Sequence, residues 1–302
     1  MIADDLLKGA IDLHIHGYPA IAFEAYTRVE DLEIAKLCEE VGMRGFVLKS
    51  HIWPTVGRVY YLRKNFPGIQ IFPSITLNLT TGGLNPVAVE SAAKQGAKVV
   101  FMPTWSSAND LRRGGASTYL KEYLPSIKAL KPQDGISLLD SNGCLSHDAK
   151  SVINMAKKYE LVLATAHIST EESLALVEEA NKINSWPVIF SHPDSHTVNA
   201  SLDDIKLMAS KGAYIEFCAL GMFPAFQRIH PRDVVKRIQE IGAQHCILST
   251  DFFFHWAPPP TEMLRIIVGT FLELGLSEEE IRYLIQVNPA KILRLESIKE
   301  II

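Results

Sequence analysis

Short apolar runs rich in β-branched residues alternate along the chain with longer segments whose apolar positions recur at helical spacing. Eight such runs are legible: Ala10–His16, Gly45–His51, Ile69–Leu79 and Ala97–Trp105, then Leu161–His167, Pro187–His192, Ala213–Cys218 and Cys246–Asp251. Strands joined by helices pair in parallel, because the crossover returns the chain to the end it started from. The segments between them carry helix punctuation. Val29 to Val41 places Leu32, Ala35 and Leu37 on helical spacing and stops at Gly42. Thr170-Glu171-Glu172-Ser173 opens a helix with a hydroxyl cap candidate and early acids, Leu202 to Ala209 precedes Lys211-Gly212, and Arg232 to Ile241 precedes Gly242. Eight βα units are the closing number of a TIM-type (β/α)8 barrel, and 302 residues suit one such domain with insertions. No repeat, low-complexity tract or long linker divides residues 1–302, which read as a single domain.

The alternation breaks between the fourth and fifth runs. Ser106 to Asp148 contains Arg112-Arg113-Gly114-Gly115, Pro125, Pro132 and Gly135-Ile136-Ser137-Leu138-Leu139-Asp140, too much chain for a minimal βα loop. An insertion on the catalytic side of a barrel shapes or covers the site, so this one reads as a lid or small hairpin over the pocket, with inert decoration as the alternative. A short helix is expected after it, at Ser146 to Tyr159.

Composition narrows the function classes. A hydrophobic fraction of 47% with 21% charged residues describes a compact globule with material for a large core. The net charge of −4 supplies no field for nucleic acid or an anionic membrane, which leaves small-molecule chemistry. Cys38, Cys144, Cys218 and Cys246 are widely spaced and read as reduced thiols. The first five residues, Met-Ile-Ala-Asp-Asp, carry acids where a signal peptide carries positive charge, and no run of about 18 apolar residues follows, so a cytoplasmic location is expected. Outer barrel helices can bury apolar faces against one another, so a homo-oligomer is an open expectation.

The chemistry concentrates at strand ends. Asp12-Leu13-His14-Ile15-His16 closes the first run, and alternation puts both imidazoles on one strand face, where two nitrogens can hold a metal. His167, His192 and Asp251 sit at or just past the ends of the fifth, sixth and eighth runs. In a barrel those ends share one rim. This ordered set resembles the amidohydrolase superfamily of metal-dependent hydrolases, and Asn288-Pro289-Ala290-Lys291-Ile292-Leu293 resembles that superfamily's closing segment, so the resemblance spans nearly the whole chain. It implies a hydrolase in which metal lowers the pKa of a water to about 7 and polarises the attacked carbonyl. It also implies that Asp251 accepts the water proton and delivers it to the leaving group.

One departure stands out. Many binuclear members bridge two metals with a carboxylated lysine or a glutamate from the fourth strand, but Lys98-Val99-Val100-Phe101-Met102-Pro103-Thr104 ends in neither. Lys49, at the end of the second run, becomes an anionic oxygen ligand if it reacts with carbon dioxide. Its alternatives are a rim salt bridge, a substrate-carboxylate contact or a proton donor. With two ions, His14, His16 and Asp251 would serve the first and His167 and His192 the second, with Lys49 spanning them. With one ion, His192 is freer to act on substrate. Imidazole-rich ligands favour zinc, and manganese, iron or nickel fit the same residue types. Asp12 either orients a ligand imidazole or satisfies buried polar groups at the barrel centre.

On the rim, His51, His196 and His255 are candidate substrate contacts, as are Asn78, Trp105, Arg112 and Arg113. The amides near Asn85-Pro86 suit a helix start and a substrate carboxylate, and Glu216 lies where alternation alone does not decide its direction. The expected reaction is hydrolysis of an amide, cyclic amide, lactone or related ester of a small molecule. Decarboxylation on the same metal site, a catalytically inactive metal-containing binding protein, and a metal-free Schiff-base site on Lys49 are the alternatives; the last leaves the histidines unexplained.

Overall fold

The computed structural model describes residues 2–182 and 185–295; residue 1 and residues 183, 184 and 296–302 of the expected single domain lie outside the described residues. All eight expected strands form, as β1 (Ile11–His16), β2 (Gly45–Lys49), β3 (Gln70–Thr76), β4 (Val99–Phe101), β5 (Val162–Ala164), β6 (Val188–Ser191), β7 (Tyr214–Cys218) and β8 (Cys246–Ser249). They pair in parallel in sequence order. Most end earlier than the apolar runs do. His51, Trp105, His167, His192 and Asp251 have left the ladder and stand on the rim just beyond it, because a residue whose side chain serves a site need not share its backbone with a neighbouring strand.

Closure runs between the two ends of the chain. Asp251 N donates to His14 O at 2.9 Å and His16 N to Phe252 O at 3.0 Å, so β1 meets the segment that follows β8. The strands are buried on both faces, inside by one another's side chains and outside by helices, which is why they read as continuous apolar runs.

The outer helices are α1 (Ile2–Leu7), α2 (Asp31–Glu40), α3 (Val56–Asn65), α4 (Pro86–Lys94), α5 (Ala108–Arg113), α6 (Ala116–Leu120), α7 (His147–Lys158), α8 (Thr170–Asn181), α9 (Leu202–Ser210), α10 (Pro231–Ile241), α11 (Pro260–Glu273), α12 (Glu278–Arg282) and α13 (Asn288–Ile292). Their starts follow from local hydrogen bonding. Asn85 accepts from Val87 N and Ala88 N with Pro86 next to it, as expected. The cap of α8 is Ser169, one residue before the expected opening at Thr170; its hydroxyl accepts from Glu172 N while Glu172 accepts from Ser169 N. Gly42 ends α2 at φ 76°, a conformation that penalises any residue with a Cβ.

The insertion after β4 is helical. It contains α5, α6 and two 3₁₀ turns at Pro125–Ala129 and Pro132–Asp134, with isolated bridges from Ser107 to Ile136 (parallel) and from Leu139 to Leu145 (antiparallel, around a tight turn). Proline and paired glycines break the pattern too often for longer strands to pair. Leu120 and Ile127 pack with Trp105, Ala20, Ile21 and Ala25 in a small core of their own, which joins the insertion to the loop after β1. At the other end of the barrel, Asn288 Nδ2 donates to Ala243 O at 2.9 Å and Cys246 O at 2.7 Å, so the closing segment pins α13 under β8. Among the described residues no helix is long and apolar enough to cross a membrane.

Candidate metal centre

Three groups converge where β1 meets the end of β8. His14 Nε2 lies 3.1 Å and His16 Nε2 3.3 Å from Asp251 Oδ1. Both rings are buried, and their centroids are 5.2 Å apart. Asp251 is held there by unusual backbone. Its φ is 52°, and the neighbouring rim positions Ala166 and His192 have φ 51° and 30°; non-glycine residues at such angles persist only where the surroundings enforce them. One enforcing group is Asp12, whose carboxylate accepts from Thr250 Oγ1 at 2.5 Å, Thr250 N at 3.2 Å and His14 N at 2.9 Å. Asp12 therefore stitches β1 to β8 through backbone and hydroxyl donors and takes no bond from a ligand imidazole; burial pushes its carboxyl up to about 7.

The electrostatics suit a cation. Burial pushes the His16 imidazole down to about 3, so the ring is neutral and one of its two nitrogens presents a lone pair. Burial alone would raise the Asp251 carboxyl, but the His14 and His16 imidazoles hold it well below the ordinary range, as a carboxylate. Two imidazole nitrogens and a carboxylate oxygen within 4.8 Å of one another in a buried space fit the donor chemistry of a borderline divalent ion. Lys49 closes the group. It pairs with His16 in register, its Nζ lies 2.8 Å from His14 Nε2 and 4.4 Å over the Phe101 ring, and burial pushes its amine down.

The remaining two histidines stand beside this triad. The His167 and His192 rings are 5.0 Å apart, and His192 is 5.9 Å from His14. Burial pushes the His192 imidazole down to about 3, and its Nδ1 is buried without a protein partner among the described residues. His167 Nδ1 is 2.5 Å from Asp110 Oδ2, so its Nε2 is the nitrogen left for the site. On the far side of His14, Glu216 Oε2 lies 3.4 Å from Nδ1, and Cys218 Sγ lies 4.0 Å from the same atom. Burial opposes ionisation of Glu216, yet the His14 imidazole holds its carboxyl below the ordinary value. A carboxylate accepting from Nδ1 leaves Nε2 as the lone-pair nitrogen facing Asp251.

Hydrogen-bond accounting defines the state of His51, which stacks on His16 at 4.4 Å. Its Nδ1 lies 3.0 Å from Thr104 Oγ1, and that oxygen already accepts from Asn78 Nδ2 at 2.7 Å. Thr104 is fully buried, and among the described residues the one acceptor within reach of its hydroxyl proton is His51 Nδ1. The hydroxyl therefore donates to Nδ1, which places the ring proton of His51 on Nε2, as a donor.

A cavity of about 160 Å³ opens above the centre, lined by His16, His51, His167, His192 and Asp251 on its floor. One wall is aromatic. Phe253 and Phe254 have centroids 5.0 Å apart, Tyr119 of α6 packs edge-on against both, and Phe226 from the loop after β7 lies 5.3 Å from Phe254. Residues 114–116 of the insertion also line the cavity.

Residues 9–216 match the model of a family described as a family of unknown function, DUF6282. The chain belongs to that family. No curated protein matches the sequence significantly. Three solved structures share its fold over nearly their whole lengths. They are an amidohydrolase from Pseudomonas aeruginosa (13% identity, 97% of each chain, TM-score 0.63), the probable dipeptidase PvdM from the same organism (12%, 96% of each, 0.62) and an organophosphorus hydrolase from Deinococcus radiodurans (14%, 96% of this chain and 93% of that one, 0.60). At these identities the likeness is one of fold.

In this DUF6282 chain the strand-end residues come together and several rim candidates do not. Asn78 is fully buried and works as a hub, donating to His51 O and Thr104 Oγ1 and accepting from Thr104 N and Ser106 Oγ. Trp105 is buried with Nε1 donating to His51 O at 3.0 Å, so it supports His51 from behind. Arg112, Arg113 and His255 are exposed and do not line the cavity, because the exposed face of α5 and the tip of the loop after β8 turn them outward. The turn before Asn85 also lies off the cavity. His196 does line it, with Nε2 donating to Arg113 O at 2.8 Å. Asp110, Thr104 and Tyr119 are contributors that no sequence pattern marked: each acts through a partner distant in sequence. Asp194, two residues past His192, also lines the cavity, and burial pushes its carboxyl up to about 6.

Proposed function

We propose that this protein is a metal-dependent hydrolase that cleaves an amide, cyclic amide, lactone or related ester bond of a small molecule. The observation that carries the reading is the convergence of His14 Nε2 and His16 Nε2 on Asp251 Oδ1 at 3.1 and 3.3 Å, on the floor of a cavity. One or two divalent ions held by His14, His16 and Asp251, and by His167 and His192, would supply an acidified water and polarise a carbonyl; zinc is the first choice, with manganese, iron or nickel fitting the same ligands.

The protein's own groups would then divide the work. Asp251, held as a carboxylate, accepts the proton of the attacking water and returns it to the leaving group. His51 offers its Nε2 proton to the oxygen on which charge develops. Glu216 and Asp110 fix the orientation of His14 and His167 from behind. Lys49, whose buried amine sits 2.8 Å from His14 Nε2, reads as the bridging ligand once carboxylated. Its burial and its place off the cavity lining argue against a Schiff-base role, which needs a carbonyl substrate at Nζ. The barrel fold shared with structures described as hydrolases is consistent with this assignment.

The test is metal content per chain on protein grown with zinc or manganese and bicarbonate, anomalous diffraction to place each ion, and a screen of cyclic amides and lactones with product analysis. An ion on His14, His16 and Asp251 with a hydrolysed product supports the proposal. Release of carbon dioxide from a carboxylated substrate instead would make the protein a decarboxylase, and the lack of any tightly held ion would remove the mechanism.

A further inference from the structure

We infer that the cavity selects an aromatic or otherwise flat, unsaturated substrate bearing a carboxylate, with Arg228 as the group that receives the carboxylate. This deepens the hydrolase reading by naming a substrate class for the same cavity.

Among the described residues lining the cavity, Arg228 supplies the one lysine or arginine side chain. It is exposed, its guanidinium has no hydrogen-bond or carboxylate partner among the described residues, and it rests 4.6 Å over the Phe226 ring. An arginine parked on an aromatic face keeps its fork of donors available while losing little freedom on pairing. Its position is built by the backbone. Gly221 O accepts from Arg228 N at 2.8 Å and from Ile229 N at 3.3 Å, which folds the loop after β7 back so that residues 226 and 228 stand over Gly221 at the cavity edge. Ile229, buried beneath, holds the turn down.

The surface between Arg228 and the floor specifies the rest of the ligand. Phe226 leans on Phe254, which also stacks on Trp256 at an interplanar angle of 12°, and Phe253 and Tyr119 continue the wall. Aromatic faces and edges set at these angles accept a flat ring by offset or edge contact. Asp251 lies on the floor with the histidines, so an anionic group on the ligand is directed away from it and toward the rim arginine.

The test measures binding of benzoate and of benzamide as its uncharged counterpart, by calorimetry or ligand-observed NMR, to the full chain as purified, with metal content determined on the same sample. Benzoate is expected to bind more tightly than benzamide. Arg228→Gln should weaken benzoate roughly tenfold or more while leaving benzamide unchanged, and Arg228→Lys should recover part of the loss. Equal benzoate affinity in wild type and R228Q, with benzoate held by the metal instead, overturns the inference, as does equal weakening of both probes. Arg228-dependent benzoate binding in a sample without metal keeps the inference and removes the hydrolase reading; metal present with Arg228-independent binding does the reverse.

Discussion

His167 Nδ1 and Asp110 Oδ2 lie 2.5 Å apart although 57 residues separate them in sequence. The same carboxylate accepts from Ala116 N at 2.9 Å and Ser117 N at 2.8 Å, so one buried acid on α5 orients a strand-end histidine and starts α6. The insertion is thereby part of the construction of the site.

Asp110→Asn tests that coupling. An amide cannot accept from both backbone N–H groups and still accept from His167 Nδ1. The variant should lose about 1–3 kcal/mol of stability in thermal or denaturant unfolding, and affinity for an ion at His167 should fall roughly 10- to 100-fold in a metal titration. Unchanged metal affinity would make Asp110 a purely structural residue.

Chelation should lower the unfolding temperature, and zinc should restore it, since an ion that binds only the folded state adds about 4 kcal/mol at a thousandfold excess over its Kd. His16→Ala should abolish the zinc-dependent shift, because it removes a nitrogen 3.3 Å from Asp251 Oδ1. A zinc response that survives in H16A would place the binding elsewhere.

The tautomer of His51 is open to ¹⁵N NMR. The expected spectrum has a protonated Nε2 and an unprotonated Nδ1, because Thr104 Oγ1 donates to the latter. Thr104→Val removes that donor and should yield a mixture of tautomers together with a loss of about 1–3 kcal/mol from the unpaired Asn78 amide. A wild-type ring protonated on Nδ1 would contradict the accounting.

Asn78→Leu separates a buried hub from a substrate contact. Several partners, among them His51 O, Thr104 N and Ser106 Oγ, lose their bond at a fully buried position, so the expected loss is at least about 3 kcal/mol in chemical unfolding. Arg112→Ala, on the exposed face of α5, should change stability by no more than about 0.5 kcal/mol and leave probe binding as it was.

Much of this was legible from local pattern. Apolar runs and helix punctuation placed all eight strands within a few residues, since strand identity depends on burial of both faces and helix starts on caps a few residues away. The length of the runs misled only at their C-terminal ends, where Trp105 and His167 look like strand and are rim. His14, His16, His167, His192 and Asp251 were legible as candidates because metal-type residues at strand ends are rare, and a barrel brings those ends together.

What the chain order could not decide is direction and partnership. Asp12 resembles a ligand's neighbour but turns to Thr250, Trp105 and Asn78 face inward under His51, and Arg113 faces solvent while Arg228, in a loop with no motif, reaches the cavity. Asp110 meets His167 only because α5 folds across the mouth of β5. Sequence by itself determined which segments are strands and helices, because those depend on interactions within a few residues and on one-dimensional periodicity. Which side chains share a hydrogen bond, a proton or a cavity was decided only by the tertiary structure, because each such contact joins residues whose separation along the chain carries no record of their distance in space.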